Sequence, residues 1–271
     1  MLPLTTKAEK AAAFLTGIVV AMPEERRAIL ARATNIRKEQ AGGCVIYNAL
    51  LAGRLIAVIE AGMGIAAASA ATEILADIKN PQLLVSAGFC GAVRSGCAVG
   101  DIILCKQLWQ YNEHGASRPD LAIKQSKISE IENSLQQFAV PVKSGCFITT
   151  SSIVSKAELA AKLPADLLNP VLEMETAAVA KVAANRGIPF LGIRTVSDDA
   201  GEELLFSMDE ISKNNRISIF KLLVACLKKP AIVPQLARLA KTSAIAGKSL
   251  GIACTAILKL NIESINEPIP D

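Results

Sequence analysis

Glu173-Met174-Glu175-Thr176-Ala177-Ala178-Val179-Ala180 and, after one break, Phe190-Leu191-Gly192-Ile193-Arg194-Thr195-Val196-Ser197-Asp198 form the stretch on which the fold turns. Alanine, the strongest helix former, dominates the first part, so a helix is expected over residues 175–186. Gly187-Ile188-Pro189 ends it, because proline lacks a backbone donor and restricts the residue before it. Residues 190–196 are apolar and β-branched, the pattern of a strand buried on both faces, and they end at Ser197-Asp198-Asp199.

Working outward, strands are expected over residues 15–22, 44–51, 55–61, 83–87, 101–105 and 142–149. Pro23-Glu24-Glu25 opens a helix, since proline and acidic residues suit a first turn. Gly62-Met63-Gly64 opens an Ala-rich helix over 65–79, and 130–138 reads as helical. Strands and helices alternate, which predicts an α/β fold: a single three-layer domain over residues 1–210, with a mixed central sheet flanked by helices. Residues 211–271 are expected to form a helical extension. In such folds ligands gather where strands end. Here those places are residues 22–25, 88–91, 174–175 and 197–198.

The 271 residues are 51% hydrophobic, 20% charged and 4% aromatic, with mean hydropathy +0.38. That composition excludes a disordered chain and builds the core from Ala, Ile, Leu and Val. No apolar run approaches the roughly 18–20 residues of a bilayer span. Residues 7–22 imitate a signal peptide but lack a small-x-small cleavage site and read equally as a buried first strand. The seven cysteines include no C-x-x-C pair, so neither a zinc site nor a disulfide framework follows, and a cytoplasmic protein with free thiols is expected. No metal, cofactor or nucleic-acid partner is expected. Gly62-Met63-Gly64 lacks the third glycine of a dinucleotide fingerprint, and His114, the single histidine, sits in a polar segment without a nucleophile elbow. Nine of the 29 Lys and Arg residues lie between Ile211 and Leu260, where there is no Asp or Glu. The C-terminal fifth is therefore basic and apolar on a mildly acidic body.

Carboxylates beside apolar strand ends are costly unless paired or used. Glu25, Glu173, Glu175 and Asp198 could each be a helix-terminal charge or a cap. Converging on one cleft, they would suit acid–base cleavage of a sugar bond.

Four segments in order resemble the purine nucleoside phosphorylase / methylthioadenosine–adenosylhomocysteine nucleosidase superfamily. They are Gly17-Ile18-Val19-Val20-Ala21-Met22 through Glu25, Ser86-Ala87-Gly88-Phe89-Cys90-Gly91-Ala92-Val93, the Met174-Glu175 helix and the Arg194 to Asp198 strand end. The resemblance implies an enzyme that cleaves the N-glycosidic bond of a purine nucleoside, with adenine as the base. It implies Asp198 as general acid at purine N7, oriented by Ser197. It implies Glu175 on the ribose hydroxyls, with Met174 under the sugar. Phe147 and Ile148 resemble the base-binding strand with a spacing one residue short, and Met22, Phe89 and Gly91 fall among the substrate contacts. The general acid is expected to hold its proton because a dry pocket raises a carboxyl pKa.

Glu25 stands where phosphorylases place an arginine for phosphate, and it matches the carboxylate that activates water in the nucleosidases, so hydrolysis is preferred over phosphorolysis. Phosphate would be the co-substrate of a phosphorylase. A non-catalytic nucleoside-binding protein on the same fold is the other alternative. The basic tail resembles the extension of hopanoid-associated phosphorylases, which act on a lipid-linked adenosyl precursor, whereas compact nucleosidases are expected to lack it. This implies a lipid-linked nucleoside substrate and peripheral contact with the inner membrane, against a hairpin packed on the domain. A homo-oligomer is also implied.

Overall fold

The computed structural model describes residues 14–112, 115–117, 131–133, 135–136, 140–152, 154–201, 212–213, 216–217 and 232–260. His114 and most of residues 211–231 lie outside them, as does part of the expected helix over 130–138, whose described residues are helical.

Strand β1 (Leu15–Val20) lies between β4 (Arg54–Glu60) and β5 (Leu83–Ala92), parallel to both. On one side β4 continues into β3 (Cys44–Leu51) and β2 (Ala33–Ala41) as an antiparallel meander. On the other, β5 pairs in parallel with β10 (Phe190–Asp198), which pairs antiparallel with β6 (Ile102–Asn112). Strand β6 is parallel to β8 (Val142–Thr150), β8 to β9 (Val171–Glu173), and β9 returns antiparallel onto β5. This half of the ten-stranded sheet therefore closes on itself as a ring, β5-β10-β6-β8-β9, with β7 (Gly115–Ser117) on β6. Outside the sheet, Ser212–Lys213 and Arg216–Ile217 form a small antiparallel pair.

The sheet is covered on both faces, and β1 shows it residue by residue. Ile18 and Val20 point into a core with α1 (Pro23–Leu30) and the last described helix (Ile232–Lys259). Val19, between them, points into a second core with α2 (Ile65–Lys79) and α4 (Thr176–Asn185). Successive side chains of a strand face opposite ways, so an unbroken apolar run is what a doubly covered strand requires. A third cluster, including Cys105, Phe147, Val171 and Val196, fills the ring.

Two elements carry no apolar signal. Strand β2 is an edge whose Arg37 and Lys38 face solvent, and charged residues on an edge suppress pairing with other chains. Helix α3 (Lys156–Lys162) is only seven residues long. Two expected strands run longer. The strand expected over 101–105 extends to Asn112, and β5 continues through Gly88-Phe89-Cys90-Gly91 because β10 pairs with it throughout. A bulge between Val196 and Asp198 interrupts that register.

The last helix, α5 (Ile232–Lys259), carries Ala246, Leu250, Ala253, Cys254 and Ile257 into the main core against α1 and β10. Its buried half is a layer of the domain. No helix among the described residues is long and apolar enough to cross a membrane.

Candidate active site

The C-terminal ends of the parallel strands β1, β4, β5 and β10 meet at one edge, and the expected carboxylates gather there. Glu25 sits in the first turn of α1 and is buried. Its Oε2 accepts the backbone N–H groups of Ala21 (2.8 Å) and Met22 (2.9 Å), and its Oε1 accepts that of Phe89 (2.8 Å). The carboxylate thus ties the end of β1 to the middle of β5. A Cβ on Gly88 would lie 2.6 Å from Glu25 Oε1, so any larger residue would displace that carboxylate. Burial pushes the Glu25 carboxyl up, against the Arg194 charge and the three amides.

Glu173 and Glu175 divide their roles. Glu173 ends β9 and its Oε2 accepts from the backbone N–H of Glu175 (2.9 Å), both donors of Thr176 (2.7 Å each) and Arg194 Nη2 (2.7 Å). Thr149 donates to Oε1. Burial alone would raise its pKa, but the Arg194 charge and these hydrogen bonds hold it below the usual range. Glu173 caps the start of α4 and is buried, with Oε2 taken up by four donors. Glu175 is the N-cap residue of α4, and its Oε1 accepts the backbone N–H of Gly64 (2.8 Å), with Oε2 3.7 Å from Arg194. Burial and repulsion from Glu173 push its carboxyl up to about 7, against the pull of Arg194 and the Gly64 amide. Gly62-Met63-Gly64, read as a weak nucleotide fingerprint, is the turn that presents this N–H, with Gly64 at φ +95°.

Asp198 ends β10 beyond the bulge, a device that re-aims side chains near active sites. Ser197 Oγ lies 2.8 Å from its Oδ1 and 3.2 Å from the carbonyl of Cys90, and Lys156 Nζ donates to its Oδ2. A dry pocket was expected around Asp198; it faces a buried ammonium instead. Gly91, expected as a substrate contact, lies beside Asp198 and Lys156. A Cβ there would lie 2.6 Å from Asp198 Oδ2 and 2.8 Å from Lys156 Cε.

Three of the expected substrate contacts are placed otherwise. Phe147 and Ile148 have no exposed surface and belong to two core clusters, because both faces of β8 are covered. The Phe89 side chain packs in the main core, and only its N–H reaches the site. Met22 gives its N–H to Glu25 while its side chain leans on that core, and Met174 is half-buried between Glu173 and Glu175.

Two residues were missed. Arg194 is fully buried and donates to Glu173 and to Ser86 Oγ (3.2 Å), and its Nε has no hydrogen-bond partner among the described residues. A lone charge in an apolar strand was its signal. Lys156 had none, because Ser155-Lys156-Ala157-Glu158 reads as an ordinary helix start. Among the described residues no group of His, Cys, Asp and Glu is arranged to hold a metal ion.

The geometry supplies a buried carboxylate held by amides, a second carboxylate of raised pKa, a buried cation between them and a third carboxylate backed by an ammonium. Such a set can activate water, support a developing cation and deliver a proton.

Known proteins share the sequence pattern and the fold of this chain. The chain is 26% identical over 222 residues to a 5′-methylthioadenosine/S-adenosylhomocysteine nucleosidase of Halalkalibacterium halodurans, covering 77% of this chain and 96% of that one. It is 28% identical over 232 residues to a nucleosidase of the same name from Listeria innocua, covering 76% and 97%. The solved S. pneumoniae enzyme of that name, with a transition-state inhibitor, superposes with TM-score 0.68 at 22% identity over 91% of this chain and 99% of that chain, which shows a shared fold. The Phosphorylase superfamily model matches residues 16–228, and the chain belongs to that family.

Proposed function

We propose that this protein hydrolyses the N-glycosidic bond of an adenine nucleoside. The observation that carries the reading is Glu25, a buried carboxylate fixed by three backbone N–H groups across a glycine from Arg194. Glu25, Glu173 and Glu175 surround the one guanidinium of Arg194, which is already committed to Glu173. A phosphate dianion entering there would meet excess negative charge, whereas a water molecule would meet a base. The relatives at 26–28% identity are named as nucleosidases, which favours the same choice.

In this mechanism the C1′–N9 bond breaks with its electron pair going to the base, and Asp198 delivers a proton to N7. Glu175, ionised, binds the ribose hydroxyls and stabilises the positive charge that develops on the sugar. Water attacks C1′ and gives its proton to Glu25. Ser197 holds Asp198 in place, and Met174 packs under the sugar. Adenine and a free sugar leave.

Adenine release from 5′-methylthioadenosine and adenosine, with and without phosphate, tests this. Free adenine and reducing sugar without phosphate are expected. A strict need for phosphate with a sugar 1-phosphate product would establish phosphorolysis instead. Binding without turnover would leave a nucleoside-binding protein.

The narrower reading, a lipid-linked adenosyl substrate met by a cytoplasmic protein at the inner membrane, draws support from exposed Arg238, Lys241 and Lys248 on α5, beside exposed Val233 and Ile245. Basic residues near an anionic surface contribute about 1 kcal/mol each. Sedimentation with anionic vesicles at low salt checks it, and light scattering checks the homo-oligomer that the family resemblance implies.

A further inference from the structure

Lys156 is a buried lysine in a helix of seven residues, and its ammonium is turned inward onto the site. Its Nζ donates to Asp198 Oδ2 and to the backbone carbonyl of Asp199 (2.7 Å). Gly91 makes the room, since a Cβ there would also lie 3.1 Å from Nζ. Taking an ammonium out of water is expensive, and an ordinary helix start has no use for it. Among the described residues, few groups beyond Asp198 face the pair. Asp199 follows on β10, with Arg238 of α5 3.8 Å from its carboxylate. Cys90 of β5 stands behind it, its thiol pushed well up by burial and therefore neutral. Glu173 of β9 and Arg194 of β10 lie deeper and compensate each other. On α3 itself, Glu158 pairs with Lys162 on the exposed side.

We propose that Lys156 and Asp198 act as one acid, in which Lys156 is the positioning residue that stores the proton Asp198 passes to N7 of the leaving base. This rests on the N-glycosidase reading of the site. The pair starts as ammonium and carboxylate. As the C1′–N9 bond breaks, the proton moves from Nζ through the Asp198 carboxyl to N7, leaving a neutral amine beside a carboxylate. The proton that water gives to Glu25 returns to solvent, and the amine takes one from solvent. Because an ammonium keeps its proton to a more alkaline pH than a carboxylic acid does, the pair would work at neutral and mildly alkaline pH, where a lone aspartate would be spent.

The test is the pH profile of kcat/KM for adenine release by wild type, Lys156→Met and Lys156→Arg, each checked for folding by circular dichroism. Methionine removes the cation; arginine keeps the ion pair but does not give up a proton. Both variants should lose on the order of 10²–10⁴ at neutral pH, the range for a lost general acid. Both should recover toward acid pH, with the alkaline limb moved down. A Lys156→Arg profile like that of wild type would show that the charge alone matters and would overturn the proposal, even if Lys156→Met fails to fold. So would a Lys156→Met limb that stays in place, or folded variants inactive at every pH. If wild type itself releases no adenine at any pH, the N-glycosidase reading fails, and this proposal with it.

Discussion

Glu173 accepts the backbone N–H of Glu175 at 2.9 Å, so the side chain of one glutamate fixes the backbone of the other. That bond, with those from Thr176 and Arg194, keeps Glu173 charged. Burial, and then this charge, raise the pKa of Glu175.

Glu175 links the site to stability. Its folded-state value of about 7 lies above the usual 4.5, so between those values the folded protein binds more protons than the unfolded chain. Stability is then lost as the pH rises through that window and levels off above it, by about 1–3 kcal/mol. Glu25 acts in the same direction. Thermal unfolding of Glu175→Gln against wild type should show a flatter decline and a higher midpoint at about pH 8. Turnover should fall because the amide cannot support the ribose cation. A variant with unchanged pH dependence would remove Glu175 from this role.

Arg194→Met should cost about 3–5 kcal/mol, because it leaves Glu173 buried without its cation. Chemical denaturation measures this. Arg194→Met combined with Glu173→Gln should recover part of the loss, and a strictly additive double variant would show that the two residues are not coupled.

Gly88→Ala and Gly91→Ala should separate the two ends of the site. The first displaces Glu25 and should impair activation of water; the second displaces Asp198 and Lys156 and should impair departure of the base. Each should lower kcat by about tenfold or more, since misplacement by 1 Å can cost 10²-fold. Nucleoside binding measured by calorimetry should change less than kcat.

Leu250→Ala, in the buried half of α5, should destabilise the protein by about 2–5 kcal/mol, the cost of a core cavity. Lys241→Ala on the exposed face should stay within about 0.5 kcal/mol of wild type. Removal of residues 232–271 should unfold the domain whatever the substrate. A truncated protein that melts like the full chain would contradict the packing of α5.

The sequence by itself determined most of the order of elements and the three carboxylates near strand ends. Both are local: apolar periodicity reveals a strand, and Glu25, Glu175 and Asp198 each lie at the end of one or within a few residues of it. It could not say which side of a strand covered on both faces carries a ligand, so Phe147 and Ile148 were expected at the site and lie in the core. Nor could it assign partners. Glu173 and Glu175 look alike in sequence, yet Arg194, 21 residues from Glu173, holds the Glu173 carboxyl below the usual range, while burial and the Glu173 charge push Glu175 up to about 7. Lys156 meets Asp198 across 42 residues because the ring closes β8 and β10 around Gly91. Charge pairing acts through space and burial, and those are set when the sheet closes, not by neighbours along the chain.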